Sequence, residues 1–190
     1  MSEVQSTFRM RAGEPAPDFL LPAPGGKLMS RGEVAGPAGL LVVFACNHCP
    51  YVIHLADALG DLARNIAAQG VRTVAINSND TKNYPQDAAE RMPAFATQHR
   101  WEFPYLIDES QEVAMLYGAA CTPDFFLLDS AGRLFYTGQF DDTRPYCGQP
   151  AHGGDLREAV RRMLAGEEPP APLYPSSGCN IKWKAGREPV

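Results

Sequence analysis

Two cysteines separated by two residues, Cys46-Asn47-His48-Cys49, are the side chains of this sequence best suited to covalent chemistry. Thiols at that spacing can meet across one helical turn, so a disulfide closes and opens with little backbone motion. The attacking species is the thiolate, so such a pair needs surroundings that favour the anion. The first turn of a helix provides them through unpaired backbone N–H groups and the positive end of the helix dipole. There a thiol falls from a pKa of about 8.5 to roughly 3.5–7.5. A protonated His48 would act in the same sense. On this reading Cys46, nearer the helix start, is the exposed nucleophile. Cys49, one turn inside, resolves the mixed disulfide by attacking the Cys46 sulfur. Pro50 fits, because in the first turn its missing N–H has no partner to lose.

The flanking sequence predicts the elements that would hold the pair. Gly39 to Ala45 is a continuous apolar run of strand length, the pattern of a strand covered on both faces. Val52, Leu55, Ala56, Leu59, Leu62, Ala63 and Ile66 follow at helical spacing up to Gly70. Val71 to Ile76 reads as a second strand ending in the polar Asn77 to Asp80, so strand, helix and strand imply parallel pairing. Gln86 to Arg100 predicts another helix that Pro93 must kink or restart. A short strand over Phe103 to Ile107 and a helix over Gln111 to Tyr117, stopped by Gly118, come next. Asp124 to Leu128 and Leu134 to Phe140 predict an antiparallel hairpin, and Leu156 to Leu164 a last helix ending near Gly166. The fold class is α/β, with a central mixed sheet flanked by helices. Breakers between Gly13 and Pro37 make residues 1–37 an irregular lead-in to a single domain over 1–166. Residues 167–190 form a Pro-rich, extended tail.

The chain has 190 residues, 45% of them hydrophobic and 21% charged, as in an ordinary globular domain. A net charge of −5 gives no footprint for nucleic acid. No run approaches the roughly 20 apolar residues of a membrane span, and the N-terminal residues do not read as a secretory signal, so the expectation is a cytoplasmic protein without membrane partners. Five cysteines are too few for a disulfide scaffold and odd in number. In a reducing compartment such cysteines read as metal-binding or redox-active.

Competing readings are weaker. A structural zinc site needs two further ligands, and His54, His99 and Cys147 are scattered. Two thiolates near an imidazole would suit copper(I). Thr122-Pro123, before the apolar strand, reads on its own as an ordinary trans strand-entry proline. Cys121 reads as a core thiol, Cys147 as exposed in the loop from Asp141 to Gly154, and Cys179 as part of the tail. If Cys147 and Cys179 met, they could pin the tail or relay electrons to the active pair.

The strand, Cys-x-x-Cys and helix, followed by Thr-Pro before a hairpin, resemble the thioredoxin superfamily. Gly13 to Pro22 resembles the lead-in of the peroxiredoxin and alkyl hydroperoxide reductase branch. The likeness is sharpest to peroxiredoxin-like thioredoxin-family proteins with a "CNHCP" site (Cys46 to Pro50), a "CTPDFF" segment (Cys121 to Phe126) and a "GCNIKWK" segment (Gly178 to Lys184). That resemblance implies a cis Pro123 close to Cys46, with Thr122 and Pro123 offering backbone to an extended substrate. The chain lacks the Trp before the first cysteine and the acidic residue in the preceding strand that thioredoxins carry, so a proton acceptor must come from elsewhere. Cys49-Pro50 matches the peroxiredoxin Cys-Pro, with Cys46 where those proteins have Thr.

The function expected is a thiol-disulfide oxidoreductase cycling Cys46 and Cys49, supported by His48 and Pro50, with no resident cofactor or metal. Its partners would be a protein or small-molecule disulfide and a thiol electron donor. A hydroperoxide-reducing, antioxidant thiol peroxidase is the alternative, and soft-metal binding a third.

Overall fold

The computed structural model describes residues 3–188; residues 1–2 and 189–190, the extremities of the expected domain and tail, lie outside them. Its centre is the strand β4 (Gly39–Phe44), in which every residue is buried. β4 lies parallel to β5 (Val71–Asn77) on one side and antiparallel to β8 (Asp124–Asp129) on the other. With β6 (Tyr105–Ile107) and β9 (Leu134–Thr137) the five-stranded order is β6-β5-β4-β8-β9. This is the mixed sheet the apolar runs imply, because a strand sequestered on both faces has to be internal.

Each face of β4 carries its own core. Leu41 and Val43 pack under α2 (Pro50–Ala67), α3 (Met92–Gln98) and α5 (Gly154–Ala165). Leu40, Val42 and Phe44 pack under α4 (Glu112–Tyr117) and the N-terminal arm. That arm contains β1 (Glu3–Gln5), the antiparallel pair β2 (Leu20–Pro22) and β3 (Leu28–Ser30), and the single turn α1 (Arg31–Val34). Within it Phe19, Leu21 and Val34 complete the second core. No helix among the described residues is long and apolar enough to cross a membrane.

Three segments differ from the sequence-based expectation. Between Gln86 and Arg100 the chain makes two separate 3₁₀ turns, Pro85–Asp87 and Ala89–Arg91, before α3 begins with Pro93 in its first turn. Proline thus restarts the helix, and the first of the turns before it carries the buried Asp87 into the site described below. The second strand of the hairpin ends at Thr137, since Gln139 N–H leaves the sheet for the Tyr174 carbonyl at 2.8 Å. The tail beyond Gly166 is extended but not detached. Ser177–Asn180 forms β10, the middle strand of a small antiparallel sheet between β1 and β7 (Cys121–Thr122). Ile181, just beyond it, is buried in the second core. Gly118 ends α4 as the sequence suggests, with a left-handed φ of 67° and its N–H turned back to Ala114.

Candidate active site

β4 continues to Ala45, whose N–H bonds the Ile76 carbonyl at 2.9 Å. The chain then leaves the sheet, and the next four residues are shaped by one carboxylate. Asp87 is fully buried. Its Oδ1 accepts the backbone N–H groups of Asn47 (2.8 Å) and His48 (3.2 Å). Its Oδ2 accepts His48 Nδ1–H (2.7 Å) and Asn79 Nδ2 (2.8 Å). The His48 ring lies parallel to Tyr84, with centroids 5.8 Å apart. Tyr105 Oη donates to Asn47 Oδ1 at 3.1 Å.

With Asn47 and His48 held this way, Cys49 stays extended (φ −71°, ψ 122°) and caps a helix whose first residue is Pro50. The expected placement therefore shifts by one turn: Cys49 is at the helix start, and Cys46 precedes it outside the helix. Both side chains are buried, Cys46 at 1% exposure and Cys49 at 0%, so Cys46 is not the exposed thiol the spacing suggested.

The Thr122–Pro123 bond is cis, and Thr122 touches both sulfurs. Its Oγ1 is 3.5 Å from Cys46 Sγ, and its carbonyl accepts Cys49 Sγ–H at 3.1 Å. Cys46 and Cys49 also share a hydrogen bond, which favours the Cys49 anion over the Cys46 anion. That bond, burial and the nearby Asp87 charge push the Cys46 thiol well up. The same bond lowers Cys49 to about 5, with further donation from the Cys179 side chain and the N–H groups of Val52 and Cys179. Burial works against this ionisation, and the donors outweigh it.

The segment ending at the cis-proline, β7, pairs antiparallel with β10. Cys179 of β10 stands opposite Thr122, and Asn180 opposite Cys121. Cys121 is buried, as expected, with its thiol directed to the carbonyls of Pro123 (3.4 Å) and Ser176 (3.9 Å). Cys147 is exposed and accepts the N–H groups of Arg144 and Gln149 within its own loop. It is thus placed in a different setting from Cys179, which belongs to the dithiol cluster.

One donor set here could hold a cation: Cys46, His48 and Asp87 offer ligand atoms within 4.8 Å of one another. Both Asp87 oxygens already accept two donors each, so a cation would have to displace bonds that shape the loop.

Sequence reading missed Asp87, Asn79, Tyr84 and Tyr105. Their one signal was the polar Asn77 to Asp80 at a strand end, which is buried rather than solvated. An acidic group also lies beside β4, on the neighbouring strand: Asp124 pairs with Phe44. Asp124 is fully buried, its Oδ2 accepts Ala120 N–H at 3.1 Å, and its Oδ1 has no partner. Burial raises its carboxyl to about 7 from an ordinary 3.8. The folded protein therefore holds this proton more tightly than the unfolded chain, so the contribution is intact below the unfolded value and is lost as pH rises toward 7. Between pH 4.5 and 7.5 the protein should lose about 3 kcal/mol relative to Asp124→Asn, read as urea midpoints. Parallel pH profiles for the two proteins would contradict this assignment.

The buried thiol pair, the cis-proline beside it and the sheet that carries both define a thiol-based oxidoreductase of thioredoxin-like fold. Residues 12–137 match the AhpC/TSA family, and the chain belongs to that family. The thiol-disulfide oxidoreductase ResA of Bacillus anthracis is 25% identical over 126 residues, 66% of this chain and 68% of the relative. The solved structure of a hypothetical protein from Sinorhizobium meliloti 1021 superposes with a TM-score of 0.92 at 48% identity, covering 96% of this chain and 99% of that one. The peroxidoxin BcpB of Mycobacterium tuberculosis shares the fold at a TM-score of 0.62 and 18% identity, covering 83% and 98%.

Proposed function

We propose that this protein reduces or exchanges disulfides through Cys46 and Cys49. The observation that carries the reading is the convergence of two hydrogen-bonded thiols on Thr122 at the start of an 18-residue helix. In the reducing direction one thiolate attacks a substrate disulfide, forming a mixed disulfide and expelling one substrate thiolate. The second cysteine then gives up its proton, attacks the first and releases the other substrate thiol. The substrate gains two electrons, and a thiol donor restores the dithiol.

Sequence spacing put Cys46 first in this order. The hydrogen bond between the two thiols, joined by the Cys179 and Val52 donors at Cys49 and by burial and the Asp87 charge at Cys46, supports the opposite assignment: Cys49 attacks and Cys46 resolves. Alkylation of the reduced protein by iodoacetamide, followed peptide by peptide, tests this. Cys49 should react with a midpoint near pH 5 and a plateau above about pH 6, while Cys46 stays protected through neutral pH. Preferential labelling of Cys46 at pH 6 would restore the original order.

A second reading is favoured by one observation. Cys49 caps the helix directly before Pro50 with a lowered pKa, the arrangement that also suits oxidation by a hydroperoxide to a sulfenic acid, closed by Cys46 with loss of water. Consumption of hydrogen peroxide faster than reduction of a protein disulfide would decide for it.

A further inference from the structure

The cluster contains a third sulfur that this cycle does not use. Cys179 lies in β10, directly across the antiparallel register from Thr122, the residue whose carbonyl accepts the Cys49 thiol at 3.1 Å. Its side chain and its N–H both hydrogen-bond the Cys49 sulfur, and it is packed in the same buried core as Cys46 and Cys49. This placement is constrained from both sides. Gly178 lies so close to the Thr122 carbonyl that a Cβ there would collide with it, and on the other edge Val4 pairs with Gly178 and Glu3 with Cys179. β10 thus occupies the position of an added strand on the cis-proline segment, and it brings a thiol to the sulfur that an added strand would have to reach.

We infer that Cys179 is a third redox thiol, an internal substrate that exchanges with the Cys46–Cys49 disulfide to give a Cys49–Cys179 disulfide. The inference rests on the reading that Cys46 and Cys49 cycle, and it extends that cycle to the C-terminal strand. In the oxidised protein the Cys179 sulfur loses its proton and attacks Cys49 Sγ. The Cys49–Cys179 bond forms as the Cys46–Cys49 bond breaks, and Cys46 leaves with the electron pair and takes up the proton. The exchange is isomeric: one disulfide and one thiol stand on each side, and no external oxidant or reductant is consumed. Held contact offsets the weak acidity of a buried thiol, because an intramolecular attack in near-contact geometry has a high effective concentration. Burial and the neighbouring Cys49 sulfur push the Cys179 thiol up to about 12, and the Lys182 charge offsets only part of this, so proximity rather than acidity carries the exchange. The same sulfur can resolve an adduct on Cys49: attack on a Cys49–glutathione mixed disulfide yields the Cys49–Cys179 bond and free glutathione.

Oxidised glutathione and the full chain provide the test, with disulfides mapped by mass spectrometry of non-reduced digests. The Cys46→Ser chain should clear its Cys49–glutathione adduct into an intramolecular Cys49–Cys179 link, leaving at least ~10-fold less adduct than the Cys46→Ser/Cys179→Ser chain after the same incubation. Equal adduct in the two chains, or links only between molecules, would overturn the inference. The unmodified protein gives a decision free of substitutions: partial oxidation should populate both the Cys46–Cys49 and Cys49–Cys179 links, and absence of the second overturns it. The unmodified protein also keeps the two levels apart. A Cys46–Cys49 link without any Cys49–Cys179 link overturns the inference alone, whereas no Cys46–Cys49 link at any stage of oxidation means that the underlying reading fails instead.

Discussion

Replacing Cys49 by serine should slow capture of a disulfide by at least about 10³-fold, whereas replacing Cys46 should leave first capture within about tenfold of the parent. A serine hydroxyl is not ionised at neutral pH, so the variant loses the anion and not merely a neighbour. The asymmetry between the two positions follows first from the hydrogen bond the two thiols share, which favours the Cys49 anion and holds the Cys46 proton. Cys179 and the Val52 N–H add donors at Cys49, while burial and the Asp87 charge act against a Cys46 anion. The measurement is the rate of the first thionitrobenzoate released from an aromatic disulfide, with Cys147→Ser in every chain so that the exposed thiol does not contribute; resolution in the parent releases a second equivalent. A large loss with Cys46→Ser and a small one with Cys49→Ser would reverse the assigned roles while leaving the pair itself in place.

Asp87→Ala should cost about 3–5 kcal/mol of stability, among the largest losses any single substitution causes here. The carboxylate is fully buried, and removing it leaves two backbone N–H groups, a ring N–H and an amide without acceptors. Each buried orphan costs about 1–3 kcal/mol, and water entering the space that alanine leaves would recover part of the sum. At a slope of about 1–3 kcal/mol per molar urea, the midpoint should fall by roughly 2 M. Asp87→Asn, which keeps one acceptor oxygen, should fall less. A shift under about 0.3 M for the alanine variant would mean that the loop holds its shape by other means.

What could be read from the sequence was what is local. The apolar run of β4, the periodic face of α2 and the tolerance of Pro50 depend on neighbours within a turn or two. They placed the dithiol at a strand-to-helix junction correctly. The exact helix start was not local. It depends on Asp87, 39 residues from His48 and 40 from Asn47 along the chain, so no spacing rule within Cys46 to Pro50 reveals which cysteine becomes the cap. Asp87 itself falls within Gln86 to Arg100, a stretch the sequence presents as one helix, and only the fold breaks that stretch into turns and directs Asp87 inward. β10 was hidden for a different reason. Ser177-Gly-Cys-Asn180 has no β-branched or aromatic residue and no alternation, so its strand character comes wholly from the edges of β1 and β7. The Gly178 to Lys184 motif marks the segment but carries no signal that its cysteine lies against the pair.

Because Glu3 to Gln5 pair with Ser177 to Cys179, the first and last strands among the described residues clasp one another beside the sulfurs. Ser6 fastens the clasp further, exchanging bonds with Ser176 at 2.9 and 3.0 Å. A recombinant version trimmed by six residues at the front would lose that clasp while every conventional core residue remained. Its thiols would then sit under an unlatched strap, more open to bulky oxidants, although the trimmed segment contributes no cysteine of its own.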